Sequence, residues 1–424
     1  MDADAARGPE ATRLDDRPPA LPLGSHQVGR TPLQFVLKSA SRCNLNCSYC
    51  YVYNKGNDSW RAKPALMPER IFQASLERIR RYCVTSGQSS VTISFHGGEP
   101  CLMGPRRFAD RCGRIRRALD GISQVRFVLQ TNGTLLDAAW AEAIRAFDVA
   151  VGVSVDGGEA VHDAARVDHR GRGSFRRVVK GLAALRDAAV PFSILSVIQL
   201  GRDGLAAHCD LLGLEPAGIN YLLPDFTHDT FAEVRRTYGA TPCWDFLRPI
   251  FAAWAAAWPP KVDIPLFWNM IRLVMGADGH LDIFGNERLP FVFIQADGAI
   301  ECLDVLGVCG ADVPRTGLSV LTSEFADIAD VSEFHRATVF VGTSIPGPCR
   351  TCAERDTCGG GYLPHRYRLG RGFDNPSVWC ADLMAFFLHI RRWLDVPVTE
   401  TYARREALRR IADESAARCR SASR

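Results

Sequence analysis

The sequence has no long hydrophobic run. Its longest apolar stretch, Ile250–Trp258, is well short of the roughly 18–20 residues that cross a bilayer, so no membrane span is expected. It has no secretory signal either: the opening residues, MDADAARGPEATRLDD, are acidic and carry no apolar segment. It has little excess charge. The formal net charge is +4, and residues 391–424, with nine Arg against five acidic residues, account for it. A body this close to neutral argues against a nucleic-acid surface. Apolar residues at 47% and charged residues at 23% exclude disorder of the whole chain, and 424 residues suit two or three domains. A cytoplasmic location is therefore expected, where disulfides are rare. The 15 cysteines stand out against that background, because clustered cysteines in a reducing compartment serve metal or catalysis.

Residues 1–30 mix Ala, Arg, Asp and Pro without periodicity and read as a flexible tail, too short for a separate binding module. From Leu33 onward short apolar runs alternate with amphipathic stretches. The runs Leu33–Lys38, Val91–Phe95, Val125–Gln130, Val149–Val155, Phe192–Ile198 and Ile219–Leu223 read as buried strands. Glu69–Cys83, Pro105–Leu119, Leu136–Phe147, Ser174–Ala188 and Gly204–Leu212 read as helices between them. Six strand–helix units predict an α/β fold, an open, partial (β/α)6 TIM-like barrel over 31–235. In such barrels chemistry gathers on the loops after the strands. Residues 236–290, with Trp244, Trp254, Trp258 and Trp268, read as a helical bridge. Residues 291–390 are rich in Gly and Cys and read as a small metal-stapled domain, and 391–424 as a basic C-terminal helix.

The loop after the first strand carries Cys43, Cys47 and Cys50, spaced C-x3-C-x2-C. Three thiolates on a short loop can hold three irons of a [4Fe–4S] cluster and leave the fourth open to a chelating ligand. A zinc loop lacking one ligand has the same spacing. After the second strand comes His96-Gly97-Gly98-Glu99-Pro100. Glycines here allow close approach of a ligand, and Glu99 can receive an ammonium group; a glycine turn with a solvated Glu reads the same way.

Together these motifs resemble the radical S-adenosylmethionine (radical SAM) superfamily. In that family the three-cysteine loop follows strand one with an aromatic residue before the last Cys, here Tyr49. Gly97-Gly98-Glu99-Pro100 matches the motif that contacts the methionine amino group of SAM. Gln130-Thr131-Asn132-Gly133 and Ser154-Val155-Asp156-Gly157 match the ends of strands three and four, followed by His162-Asp163. Ser154 and Arg166 have the twelve-residue separation of a serine and arginine that contact SAM in peptide-modifying relatives. The resemblance implies reductive cleavage of SAM to a 5′-deoxyadenosyl radical, with a reductase, flavodoxin or ferredoxin as electron donor.

A second set, Cys349, Cys352, Cys358 and Cys380, suits a zinc ribbon by spacing alone. In its context, Cys358-Gly359-Gly360-Gly361-Tyr362, it resembles the SPASM extension of peptide-modifying radical SAM enzymes, where four such cysteines bind an auxiliary [4Fe–4S] cluster. The full pattern has one more cysteine where this chain has Tyr362, so one auxiliary cluster is expected. Cys302 and Cys309 are a poor set for another, and Cys83, Cys101, Cys112, Cys209, Cys243 and Cys419 read as structural. The blocks Gly359–Arg368 and Gly372–Leu383, with Tyr51-Val52-Tyr53, Ser59–Ala62 and Tyr221–Pro224, resemble FxsB-type maturases. That implies a ribosomally made precursor peptide as substrate and an intramolecular crosslink, aromatic ring to side-chain Cβ, as product. Such a crosslink needs an electron acceptor, for which the auxiliary cluster is suited, and a base. Asp304 is the candidate base, while His365 and Asp374 are weaker ones. The alternatives are formylglycine formation as in anaerobic sulfatase maturases, thioether formation, and a zinc-stabilised binding protein without catalysis.

Overall fold

A computed structural model describes residues 33–410, apart from 258, 280, 285, 286 and 409. The expected tail 1–30, Trp258, Cys419 and the end of the expected C-terminal helix, 411–424, lie outside the described residues.

The six expected strands form one parallel sheet: β1 (Gln34–Ala40), β2 (Ser90–Gly97), β3 (Gln124–Thr131), β4 (Ala150–Ser154), β5 (Phe192–Val197) and β6 (Gly218–Leu222). They lie side by side in chain order, each paired in parallel with the next. Helices α1 (Glu69–Ser86), α2 (Pro105–Ala118), α3 (Ala138–Ala146), α4 (Glu159–Ala165), α5 (Phe175–Asp187) and α6 (Gly204–Leu212) connect them. In α1 the buried Ile71, Phe72, Leu76, Ile79 and Cys83 recur at three- and four-residue steps, so one stripe faces the core. Gly87, at φ 64°, ends that helix in the left-handed conformation a side chain resists. Asp137 and Asp203 cap α3 and α6 by accepting from Trp140 N and Ala206 N. This is the expected open, partial barrel, its strands buried on one face and partly covered on the other.

The sheet does not stop at six strands. β7 (Phe291–Ile294) pairs in parallel with β1, and β8 (Ala299–Glu301) and β9 (Arg315–Ser319) follow as antiparallel strands, giving the order β6-β5-β4-β3-β2-β1-β7-β8-β9. The junction expected at 290/291 therefore lies within one continuous sheet. The segment before it is helical, with α7 (Ala232–Tyr238), α8 (Pro242–Ala256) and α9 (Pro265–Val274). Phe251 of α8 packs 5.2 Å from Phe267 and 5.7 Å from Phe386, ring centre to ring centre, so these helices join the barrel to the helix Cys380–Leu394.

The basic C-terminal helix expected from residue 391 is corrected. Arg391 belongs to the last turn of Cys380–Leu394, which ends at Asp395, φ 53°. Pro397 lacks an N–H donor, and a new helical stretch begins at 398. Arg391 is not part of a solvated tail: it is buried on Glu354, with Nε 2.6 Å from Oε1 and Nη2 2.8 Å from Oε2. Among the described residues no helix is long and apolar enough to cross a membrane.

Candidate functional site

The loop after β1 holds Cys43, Cys47 and Cys50, all partly buried, at the ends of the parallel strands. It is tied down from several sides. Leu45 N and Asn132 Nδ2 donate to Cys43 Sγ at 3.4 and 3.7 Å, and Asn44 Nδ2 donates to Thr134 Oγ1 at 2.8 Å. Burial pushes the Cys47 thiol up to about 11, although Arg166 pulls it down; burial also raises Cys43 and Cys50. Each thiol therefore needs a cation or an iron to become a thiolate. Among the described residues no three His, Cys, Asp or Glu converge on one metal ion. A multi-iron cluster does not require that, since each thiolate binds a different iron.

Gly97 and Gly98 serve the chain itself. A Cβ at Gly97 would lie 2.3 Å from Ala40 O, and one at Gly98 2.0 Å from the Tyr53 hydroxyl and 2.3 Å from Arg42 O. A side chain on either glycine would therefore collide with the cysteine loop, which packs on these two residues. Gly98 N and Glu99 N donate to Ala40 O and Arg42 O, at 2.8 and 2.9 Å.

Glu99 is fully buried. Its Oε1 accepts from Cys101 N at 2.9 Å and Thr131 Oγ1 at 2.7 Å, and its Oε2 from Asn132 N at 2.7 Å. All three donors are neutral, and no ion pair to Glu99 occurs among the described residues. Burial pushes its pKa up against these hydrogen bonds. A buried carboxylate without a counter-charge fits a cationic ligand, and an ammonium group would supply the missing charge. Cys101, expected to be structural, thus also holds the carboxylate through its N–H.

Tyr49, Asp156 and Arg166 form one buried unit. Arg166 Nε lies 2.9 Å and Nη2 3.3 Å from the two oxygens of Asp156, and the Tyr49 hydroxyl donates to Asp156 Oδ2. The Arg166 guanidinium stacks 5.3 Å from the Tyr49 ring centre. Burial disfavours its charge, but Asp156 outweighs that and holds it firmly cationic beside Cys47. Asp156 also accepts from Val197 N at 3.0 Å and Gln199 Nε2 at 3.3 Å. Ser154 Oγ accepts from Gln130 Nε2 at 3.2 Å. The sequence motif contained Asp156, but Ser-x-Asp-Gly also reads as a turn, which hid its organising role.

Asp304 begins the 3-10 turn Asp304–Cys309 after β8 and is buried against the end of β1. Its Oδ2 accepts from Lys38 Nζ at 2.5 Å and from the Tyr51 hydroxyl at 2.9 Å. Burial favours its neutral form, but Lys38, His96 and these hydrogen bonds hold it below the usual carboxylate range. Lys38 Nζ is also 3.5 Å from His96 Nδ1. Lys38 was missed because it reads as the polar end of an apolar run.

The second cysteine set lines a pocket, with Cys349, Cys352, Cys358 and Cys380 on its wall beside Glu354 and Phe387. Burial pushes Cys349 up to about 11. Gly359, Gly360 and Gly361 all have positive φ, at 62°, 89° and 77°, so the chain can turn sharply there. Four thiols around one cavity fit a cluster with no open iron. Cys302 Sγ donates to Pro314 O at 3.4 Å and Cys309 Sγ to Pro364 O at 3.7 Å. The Tyr362 ring lies edge-on to His365 at 5.1 Å, and His365 Nε2 is 3.2 Å from Asp225 Oδ1. Asp374 accepts from Gly347 N at 2.6 Å and caps a turn. Among the described residues no hydrogen bond joins His365 or Asp374 to Asp304.

Residues 37–204 match the family model described as the Radical SAM superfamily. The chain is 29% identical over 168 residues to the cysteine-type anaerobic sulfatase-maturating enzyme of Clostridium novyi, a stretch covering 39% of this chain and 44% of that one. The match thus spans less than half the length of that relative. The solved structure of anSMEcpe with bound AdoMet and Cp18Cys peptide superposes with TM-score 0.73 at 20% identity, covering 86% of this chain and 99% of that one. SuiB of Streptococcus suis bound to precursor peptide SuiA superposes with TM-score 0.54 at 12% identity, covering 84% and 77%. At these identities the likeness to both structures is one of fold.

Proposed function

We propose that this chain, whose residues 37–204 form a domain of the radical SAM superfamily, is a peptide maturase that crosslinks an aromatic ring to a side-chain Cβ within one ribosomal precursor peptide. The observation that carries the radical SAM reading is the buried Glu99 without a counter-charge beside three loop cysteines. Cys43, Cys47 and Cys50 would hold a [4Fe–4S] cluster, and Glu99 would take the ammonium of SAM. Tyr49, Ser154 and Arg166 would frame the rest of the cofactor, with Asp156 holding Arg166 and Tyr49 in place. Cys349, Cys352, Cys358 and Cys380 would hold one auxiliary [4Fe–4S] cluster. When bound, these groups supply a 5′-deoxyadenosyl radical at one end and a one-electron acceptor at the other.

The peptide's Cβ loses a hydrogen atom and bonds to a ring carbon, and the ring then gives up one electron and one proton to regain aromaticity. Asp304 would take that proton. Held ionised by Lys38, it is a weak base, and a weak base suffices because a proton on a dearomatised ring is strongly acidic. The domain division into barrel, bridge and auxiliary unit follows the same reading, as do a precursor-peptide partner and a flavodoxin- or ferredoxin-type donor in the cytoplasm. Solved structures of the same fold with peptides bound support a peptide partner.

Formylglycine formation is the second reading, favoured by the name of the relative from Clostridium novyi. Tyr362 in place of a further cysteine counts against it. The deciding experiment reconstitutes the enzyme with iron and sulfide and adds SAM, dithionite and the short peptide encoded beside it. Crosslinking predicts a product lighter by two hydrogens, inert to hydrazide reagents, with ring and Cβ joined in tandem mass spectra. A hydrazide-reactive aldehyde would establish the second reading instead.

A further inference from the structure

A second pocket, partly open to solvent, lies between the end of β1 and the ends of β7 and β8. Tyr51, one residue after Cys50, lines it, so it adjoins the cysteine loop. Its polar side consists of two ion pairs. Lys38 meets Asp304 at 2.5 Å and Lys63 meets Glu301 at 3.1 Å, and all four side chains are 10% exposed or less. Gln295 Nε2 donates to the other oxygen of Glu301 at 2.6 Å. Tyr51, Val52, Trp60 and Pro314 form apolar walls.

The two cations and two anions cancel in pairs. A charged group entering the cavity would find no free counter-ion, and capturing one would leave its former partner buried and unpaired. A neutral group pays neither cost and gains contact with the apolar walls. One donor is also unspent: the indole N–H of Trp60 is buried and has no acceptor among the described residues. A peptide carbonyl would satisfy it.

We infer that this cavity recognises one uncharged residue of the peptide, with an apolar, aromatic or amide side chain, and that Trp60 binds a main-chain carbonyl beside it. The inference rests on the reading of the chain as a peptide maturase. Lys63 and Glu301 are then specificity-determining residues.

The test uses N-acetyl amino-acid amides of Leu, Phe, Asn, Asp and Lys as probes on the full chain, with binding read by calorimetry and folding by thermal melts. The Leu, Phe and Asn amides should bind wild type at least about tenfold more tightly than the Asp and Lys amides. Glu301→Gln frees Lys63 and should raise affinity for the Asp amide about tenfold, while Lys63→Met should do the same for the Lys amide. The Lys63→Met/Glu301→Gln double variant should regain the neutral preference, and it carries the test if a single variant does not fold. Trp60→Phe should weaken all neutral probes. Equal binding of charged and neutral probes by wild type overturns the inference. So does the absence of binding up to the solubility limit, or folded variants with unchanged preference. Cleavage of SAM to 5′-deoxyadenosine is measured separately. Its absence would overturn the radical SAM reading while leaving the binding pattern as it is.

Discussion

Lys38 and Asp304 are 266 positions apart in the chain, and Lys38 Nζ lies 2.5 Å from Asp304 Oδ2. Their side chains are 6% and 8% exposed. The pair joins the first strand of the barrel to the turn after β8, at the mouth where the cysteine loop begins. Removing one partner strands the other as a buried charge, while removing both does not. Lys38→Met should therefore destabilise the protein by about 3–5 kcal/mol in urea titrations. Lys38→Met/Asp304→Asn should recover most of that loss. A double variant no more stable than the single would show that the ion pair is not what holds the seam.

Glu99→Gln removes a negative charge from a site whose protein donors are all neutral. The amide must turn its NH2 toward one N–H or hydroxyl donor, which costs about 1–3 kcal/mol of stability. Affinity for SAM should fall at least about tenfold, or 1.4 kcal/mol, through loss of the ammonium's counter-charge. Equilibrium dialysis with labelled SAM separates the two effects. Unchanged affinity in the folded variant would remove Glu99 from the cofactor site.

Alanine at Cys43, Cys47 and Cys50 together should leave about half the iron and yield no 5′-deoxyadenosine, because the second cysteine set is independent. Cys380→Ala should lose the other half and also lower the melting temperature, since Cys380 is the member of its set farthest along the chain. Iron and acid-labile sulfide analysis reads both outcomes. Full iron in the triple variant would contradict a cluster on this loop.

Arg391 and Glu354 form a buried pair beside the second cysteine cavity, which Glu354 lines. Arg391→Ala should leave Glu354 unpaired and loosen that wall. The expected outcome is a loss of about 3–5 kcal/mol together with reduced iron at the second site. Normal iron content with normal stability would exclude the link.

His162 and His208 are buried and His96 is half-buried, and loss of solvent depresses each to about 4. The unfolded chain protonates its histidines near 6.5, so between pH 6.5 and 4.5 it binds protons that the folded chain does not. Their contribution to stability should be fully present above pH 6.5 and decline as pH falls through that window, opposed by Asp282 and Asp382, which burial raises to about 6. His208→Gln should flatten the decline, measured as the urea midpoint at several pH values. A slope unchanged by His208→Gln would mean that this ring is charged or solvated in the fold.

The local rules were legible in the residues themselves. Six apolar runs became six strands and five periodic stretches became helices, because strand alternation and helical stripes are properties of neighbouring residues. The cysteine spacings were equally plain, since a loop ligand set is written within a few positions. Contacts between distant segments were not legible. Nothing near Lys38 announces Asp304, and nothing in Phe291–Ile294 says that it will extend the barrel sheet beside β1. Gly97 and Gly98 read as room for a ligand, and the fold adds a demand the sequence does not show, since Ala40, Arg42 and Tyr53 lie where a side chain would go. Arg391 looked like one of many surface arginines until Glu354 was found buried against it. The sequence by itself determined the strand–helix order and the two cysteine sets, through short-range periodicity and spacing. Only the tertiary structure decided which charges are paired, and that Glu99 is buried with hydrogen bonds but no counter-charge, because burial and ion pairing depend on what the rest of the chain brings alongside.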